Sequence, residues 1–165
     1  MLAFLKRKEK TSMRRVDDED IVALQDGKII DLALVNDSIF AEQLMGLSTA
    51  MTFEQKQVTL CSPANGELTA LFPTGHAFGI TMKNGTEILV HIGINTVHAQ
   101  GKGFEILCEQ GQWVKAGDPI VKVNFKELSK NYDMTTMIIL TRQNGKEYHF
   151  IPADSVVKKG DTIVW

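Results

Sequence analysis

Apolar residues recur along the chain in short runs punctuated by Gly, Asn, Asp and Pro. The clearest are IVALQDGKIIDLAL (21–34), QVTLCSPANGELTALF (57–72), AFGITMKNGTEILVHIGI (77–94), IVKVNF (120–125) and MTTMIILTRQNGKEYHFIP (134–152). Strands of this length with regular turn signals predict an all-β sandwich or barrel. Asn84-Gly85 and Asn144-Gly145 are the strongest hairpin signals. Few short helical turns are expected, and the best candidate, Ile39 to Leu47, is a turn or two at most.

Two internal echoes sharpen this picture. VKAGDPIV (114–121) recurs as VKKGDTIV (157–164), and LQDGKIIDL (24–32) is loosely repeated by PANGELTAL (63–71). Repetition of a supersecondary unit implies a duplicated β motif whose halves share one core, and two copies are too few for a solenoid. No linker rich in Pro, Gly or Ser divides the chain, so residues 19–165 are expected to form one domain behind a tail of residues 1–18.

Composition changes little. The 165 residues are 44% hydrophobic and 23% charged, which excludes a disordered chain or a coiled coil. A net charge of -2 argues against nucleic acid as a partner. Cys61 and Cys108 stand in no zinc or redox spacing and are expected to be free thiols of a reducing, cytoplasmic compartment. The tail begins MLAFLKRKEK, with its apolar run before its basic residues, the reverse of a signal peptide. Residues 1–15 could give weak peripheral contact with anionic lipid, though so short an apolar segment binds only marginally.

Candidate chemistry sits in LVHIGINTVH (89–98). Val90, Ile92 and Ile94 are expected on one side of the pleat, and Leu89, His91 and Gly93 on the other. His76 lies across the Asn84-Gly85 turn. A hairpin loop with an even residue count would put both rings on one face, with Thr74, Phe78 and Ile80 around them; a single bulge would separate them. Gly93 would leave space for a ring or ligand to approach. Two facing imidazoles suit metal binding, acid/base chemistry or carriage of a phosphoryl group on nitrogen. His98 and His149 lack such company. No nucleophile elbow or P-loop occurs.

At these residues the sequence resembles a known family. TGHAF (74–78) looks like its T-x-H-A-F segment. GTEILVHIGINTV (85–97) matches its long signature around a histidine, and GKGF (101–104) and GQWVKAGD (111–118) continue in register. This is the glucose-type IIA component of the bacterial phosphoenolpyruvate-dependent sugar phosphotransferase system. The resemblance implies a flattened antiparallel β-sandwich with a duplicated hybrid motif. It implies that His91 is the phosphoryl acceptor, through Nε2, taking the group from phospho-HPr and giving it to a cysteine on the permease's IIB domain. His76 would hydrogen-bond the transferring group and Thr74 would orient His76.

The same resemblance places Asp37, Ile39, Phe40, Leu44, Met45, Phe72, Phe78, Leu89, Asn95 and Val97 at or near a partner surface. It adds regulatory targets for free-standing members and an opportunistic zinc between His76 and His91, with no cofactor required. Asn95 stands where Asp is common, and Glu54-Gln55 and Ala99 also depart from the pattern. Two other functions share parts of it. A biotinyl or lipoyl carrier would use Lys83 at the turn but needs Met or Ala after it, not Asn. A zinc hydrolase of related β fold needs an H-x-H pair and a third acidic ligand, which are missing around His91.

Overall fold

Residues Ala77–Met82 and Glu87–Ile92 pair antiparallel across the Asn84-Gly85 turn, as the turn signal predicts. A computed structural model describes residues 15–165; the apolar and basic residues of the tail considered for lipid contact, 1–14, lie outside the described residues. The strands are β1 (Gly27–Ile30), β2 (Leu47–Thr52), β3 (Gln57–Cys61), β4 (Gly66–Leu71), β5 (Ala77–Met82) and β6 (Glu87–Ile92). They continue with β7 (Phe104–Ile106), β8 (Trp113–Val114), β9 (Pro119–Asn124), β10 (Thr136–Arg142) and β11 (Val156–Val157). Eight form one sheet in the order β11-β1-β2-β10-β6-β5-β4-β8, and three form a second, β3-β9-β7. Every pairing is antiparallel.

Alternating side-chain direction builds the core. Ile88, Val90 and Ile92 of β6, Phe78, Ile80 and Met82 of β5, and Ile138 and Leu140 of β10 point to the inner side, where Leu60, Ile120, Val121 and Val123 of the smaller sheet meet them. The outer side of the large sheet carries a second cluster. Ala50, Met137 and Ile139 are covered there by Val35, Phe40 and Ile94, with Leu89 packed at the edge. Segment 31–46 is the cover. Asp37 caps its one-turn helix, Ser38–Ala41, by accepting from the Ile39 amide at 2.9 Å.

The internal echoes are one structural motif used twice. In each copy of the V-K-x-G-D turn the Asp carboxylate accepts from the Lys amide at 2.8 Å, Asp118 from Lys115 and Asp161 from Lys158. Asn65 accepts from the Ala116 amide at 2.8 Å and Asp26 from the Lys159 amide at 2.8 Å. Gly66 pairs with Val114 as Gly27 pairs with Val157. Both glycines lie where a Cβ would strike a backbone carbonyl, Thr81 O at 2.4 Å and Thr52 O at 2.6 Å.

Three expectations fail locally. Asn144-Gly145 closes no hairpin: β10 ends at Arg142 and residues 146–149 are irregular. That turn packs instead on the first one, its Asn144 amide donating to Asn84 O at 2.9 Å. The β5–β6 loop spans Lys83–Gly85, an odd number of residues, because Met82 faces Thr86 and Gly85 takes φ +88°. Ile94 packs on the outer cluster rather than with Val90 and Ile92, because β6 ends at Ile92 and Gly93 turns the chain at φ +76°.

Candidate functional site

The register sets His91 opposite Ala77 on β5 and Met137 on β10, in the middle of the large sheet's outer face. The odd loop would send His76, by alternation, to the inner side with Phe78. It escapes because β5 begins only at Ala77 and Gly75, at φ +76°, bends the chain just before. The His76 carbonyl still accepts from the Ile92 amide at 2.7 Å, while its ring meets His91 edge to face with centroids 5.4 Å apart.

Each imidazole is fixed through Nδ1. His91 Nδ1 lies 2.8 Å from the Gly93 carbonyl, which can only accept, so Nδ1 carries the proton and Nε2 keeps its lone pair. His76 Nδ1 lies 2.5 Å from Thr74 Oγ1, whose hydroxyl can serve as donor and so leave the proton on Nε2. Phe40 tilts against His91 at 4.9 Å and Phe72 stands edge-on to His76 at 5.2 Å. The four rings run in a row, Phe40, His91, His76, Phe72.

Burial holds the His91 pKa below the usual histidine value, while the Gly93 hydrogen bond and the Asp37 carboxylate pull partly the other way. Burial also lowers that of His76, and His91 beside it adds to the effect. Both rings are therefore neutral at pH 7. With Nδ1 protonated on His91 and the Thr74 hydroxyl donating to His76, such a pair offers one basic nitrogen and one N–H donor side by side.

The other expected residues divide. Ile39, Leu44, Met45, Phe72 and Val97 are exposed, and Asn95 is exposed in the left-handed conformation at φ +58°. Asp37 and Leu89 are half-buried at the edge of the site. Phe40 is buried against His91. Phe78, expected on the rim, is a fully buried core residue, as is Ile80, since the odd loop gives them inner parity. Gly93 gives no open space: a Cβ there would meet Thr96 Cγ2 at 2.5 Å, and its carbonyl rather than its emptiness serves His91. Leu34, 77% exposed on the covering segment, is apolar surface that the pattern did not single out. His98 is exposed, and His149 stacks on Trp165 and pairs with Glu147, both apart from the histidine pair.

Among the described residues no group of three His, Cys, Asp or Glu could hold a metal ion. His76 and His91 supply two of the three or four protein ligands that a zinc site usually has. The described cysteines are free thiols, and no described helix is long and apolar enough to cross a membrane.

A duplicated antiparallel sandwich with two oriented imidazoles on one outer face suits a histidine-based carrier or transfer domain. Comparison with known proteins gives the particular family. Residues 19–146 match the model of the phosphoenolpyruvate-dependent sugar phosphotransferase system, EIIA 1. The chain is 40% identical over 144 residues to a glucose-specific EIIA component of Mycoplasma capricolum, covering 87% of this chain and 92% of that protein. It is 34% identical over 139 residues to a glucose-specific EIICBA component of Staphylococcus carnosus, covering 84% of this chain and 20% of that larger protein. The structure of glucose permease IIA from Mycoplasma capricolum superposes with a TM-score of 0.81 at 38% identity, covering 88% of this chain and 93% of the other. This chain belongs to the EIIA 1 family, and it is a phosphotransferase component that carries a phosphoryl group as phosphohistidine.

Proposed function

We propose that His91 Nε2 is the atom that carries the phosphoryl group, that phospho-HPr supplies it, and that a cysteine on the IIB domain of a glucose-type permease receives it. The observation that carries this reading is the hydrogen bond from His91 Nδ1 to the Gly93 carbonyl, which directs the lone pair of the neutral ring outward. Nε2 attacks phosphorus as the donor's N–P bond breaks, and the donor nitrogen keeps the electron pair. In the second step a thiolate attacks and Nε2 leaves with its pair. Phosphoryl transfer of this kind asks the protein for an in-line nucleophile, donors on the equatorial oxygens and exclusion of water.

His76 suits the donor's role, its Nδ1 engaged by Thr74 and its ring edge to face with His91. Phe40 and Phe72 limit water, and Ile39, Leu44, Met45 and Val97 supply apolar surface for docking beside Asp37 and Asn95. The acceptor domain follows from the fused relative, whose name joins EIIA to its B and C domains. Zinc, if it binds the two Nε2 atoms, needs further ligands from a partner. Phosphoenolpyruvate, HPr and the kinase of HPr are expected to label this protein, and His91→Ala to abolish labelling. Labelling that survives His91→Ala overturns the assignment.

A further inference from the structure

Thr96 is fully buried, and its hydroxyl donates to the Ile92 carbonyl at 2.5 Å across the bend that follows β6. Its methyl group stands 2.5 Å from the place a Cβ at position 93 would occupy, so it fills the underside of Gly93. One side chain thus bonds the peptide before Gly93 and packs beneath the residue itself. The peptide after Gly93 is tied at both ends: its carbonyl accepts from His91 Nδ1 at 2.8 Å and its N–H, on Ile94, donates to Asp133 O at 2.8 Å. The Gly93 amide itself donates to Thr135 O at 3.1 Å.

We infer that Thr96 is a positioning residue for phosphoryl transfer: by bonding the Ile92 carbonyl and wedging against Gly93 it holds the Gly93 carbonyl on His91 Nδ1 and so fixes which ring nitrogen attacks. The inference rests on His91 as the acceptor. Three neighbouring backbone groups then act together. The β10 end, through Asp133 and Thr135, sets the position of the bend, and Thr96 sets its twist. A glycine at φ +76° has a wide choice of nearby conformations; the bonds from the Gly93 and Ile94 amides to Thr135 O and Asp133 O narrow it from the β10 side, and Thr96 narrows it from within the bend. Without Thr96 the ring gains access to the other tautomer, in which the nitrogen facing the opening carries a proton and is no nucleophile. Each half of the clamp has its own part: the hydroxyl fixes the preceding carbonyl, and the methyl group denies Gly93 a retreat into the space beneath it.

The test uses the full chain. ¹⁵N spectra of the unphosphorylated protein report the His91 tautomer without reference to transfer. The Nδ1-protonated form is expected to dominate in the native protein and in Thr96→Ser, which keeps the hydroxyl, and to give way to a tautomer mixture in Thr96→Val, which keeps the shape. The rate of acceptance from phospho-HPr should drop about tenfold in Thr96→Val, the loss of one buried hydrogen bond's worth of alignment, and far less in Thr96→Ser. Should the valine variant not fold, Thr96→Ala takes its place, with the same expectations. Native ¹⁵N shifts in a folded hydroxyl-less variant, or equal losses in Thr96→Ser and Thr96→Ala, overturn the inference. Loss of labelling at His91 is a separate outcome: if His91→Ala still accepts phosphate, the acceptor assignment falls while the tautomer measurement still decides whether Thr96 orients the ring.

Discussion

His76 and His91 meet edge to face at 5.4 Å although the β5–β6 register assigns their positions to opposite sides of the sheet. The meeting depends on Gly75 bending the chain before β5 begins, and on Thr74 holding the His76 ring once it has swung out. Two separate segments, one a strand and one a turn, therefore build the pair, and each ring has its own support.

Because the supports are separate, the two histidines should fail differently. His76→Gln is expected to accept a phosphoryl group from phospho-HPr at near the native rate and to pass it on about a hundredfold more slowly, the scale of losing one donor to a developing negative charge. Rapid-quench measurement of each half-reaction separates the two. Native onward transfer by His76→Gln excludes the donor role.

Both imidazoles have folded-state pKa values below the ordinary 6.5 of histidine. The folded protein therefore binds fewer protons than the unfolded chain once pH falls towards and below 6.5, and stability rises with pH across that window. The contribution is lost on acidification from about pH 6.5 down to the depressed values and is level above it. Denaturant midpoints between pH 5 and 8 should show this slope, reduced in His91→Gln. Acceptance of phosphate should hold level down to pH 6.5, since Nε2 stays unprotonated there.

Gly93→Ala puts a Cβ against Thr96 and in a left-handed backbone. The conformation costs about 1–2 kcal/mol and the overpacking about 1–3 kcal/mol. Urea denaturation should register both, and labelling of His91 should fall with the misplaced carbonyl. A variant as stable as the native protein would show that the bend is looser than its contacts indicate.

Phe40→Ala removes the ring that tilts on His91 and opens the outer cluster. A buried Phe truncated to Ala typically costs about 3–5 kcal/mol, and the variant should lie at the low end because segment 31–46 can settle onto Met137 and Ile139. Phosphorylated at His91, it should hydrolyse faster than the native phosphoprotein because water reaches the phosphoramidate. A lifetime equal to the native one removes Phe40 from the water-excluding role.

The sandwich was legible because short apolar runs recur between turn residues and burial alternates strictly within β6, and the duplication because the two V-K-x-G-D turns repeat their hydrogen bonds as well as their letters. The place of His91 on the outer face was legible from the same alternation. The partnership with His76 was right, but the route to it was not: parity assumed an even loop, whereas Gly85 adds a residue, and Phe78 consequently lies in the core. Nothing in a hydrophobic pattern reveals an odd loop compensated by a bend at Gly75. Nor does it reveal that Gly93 matters for its carbonyl, since a glycine's letter reports a missing side chain and not the acceptor beside it. The Asn144-Gly145 turn misled for a related reason: turn chemistry fixes a local bend, while strand pairing after it depends on a tertiary partner.

The two halves of the duplicated motif are finished differently at their outer faces. Thr136 lies opposite Met51 as Ile88 lies opposite Ile80, so Ile139 is the counterpart of His91 three residues along. Ile139 is sealed beneath segment 31–46, whereas the equivalent connection, residues 72–76, is short and leaves His91 bordering solvent. A homodimer of identical halves would seal both faces or bare both. Joined in one chain, the copies can be unequal: one supplies the hood, whose Phe40 overhangs the neighbour, and the other supplies the workplace.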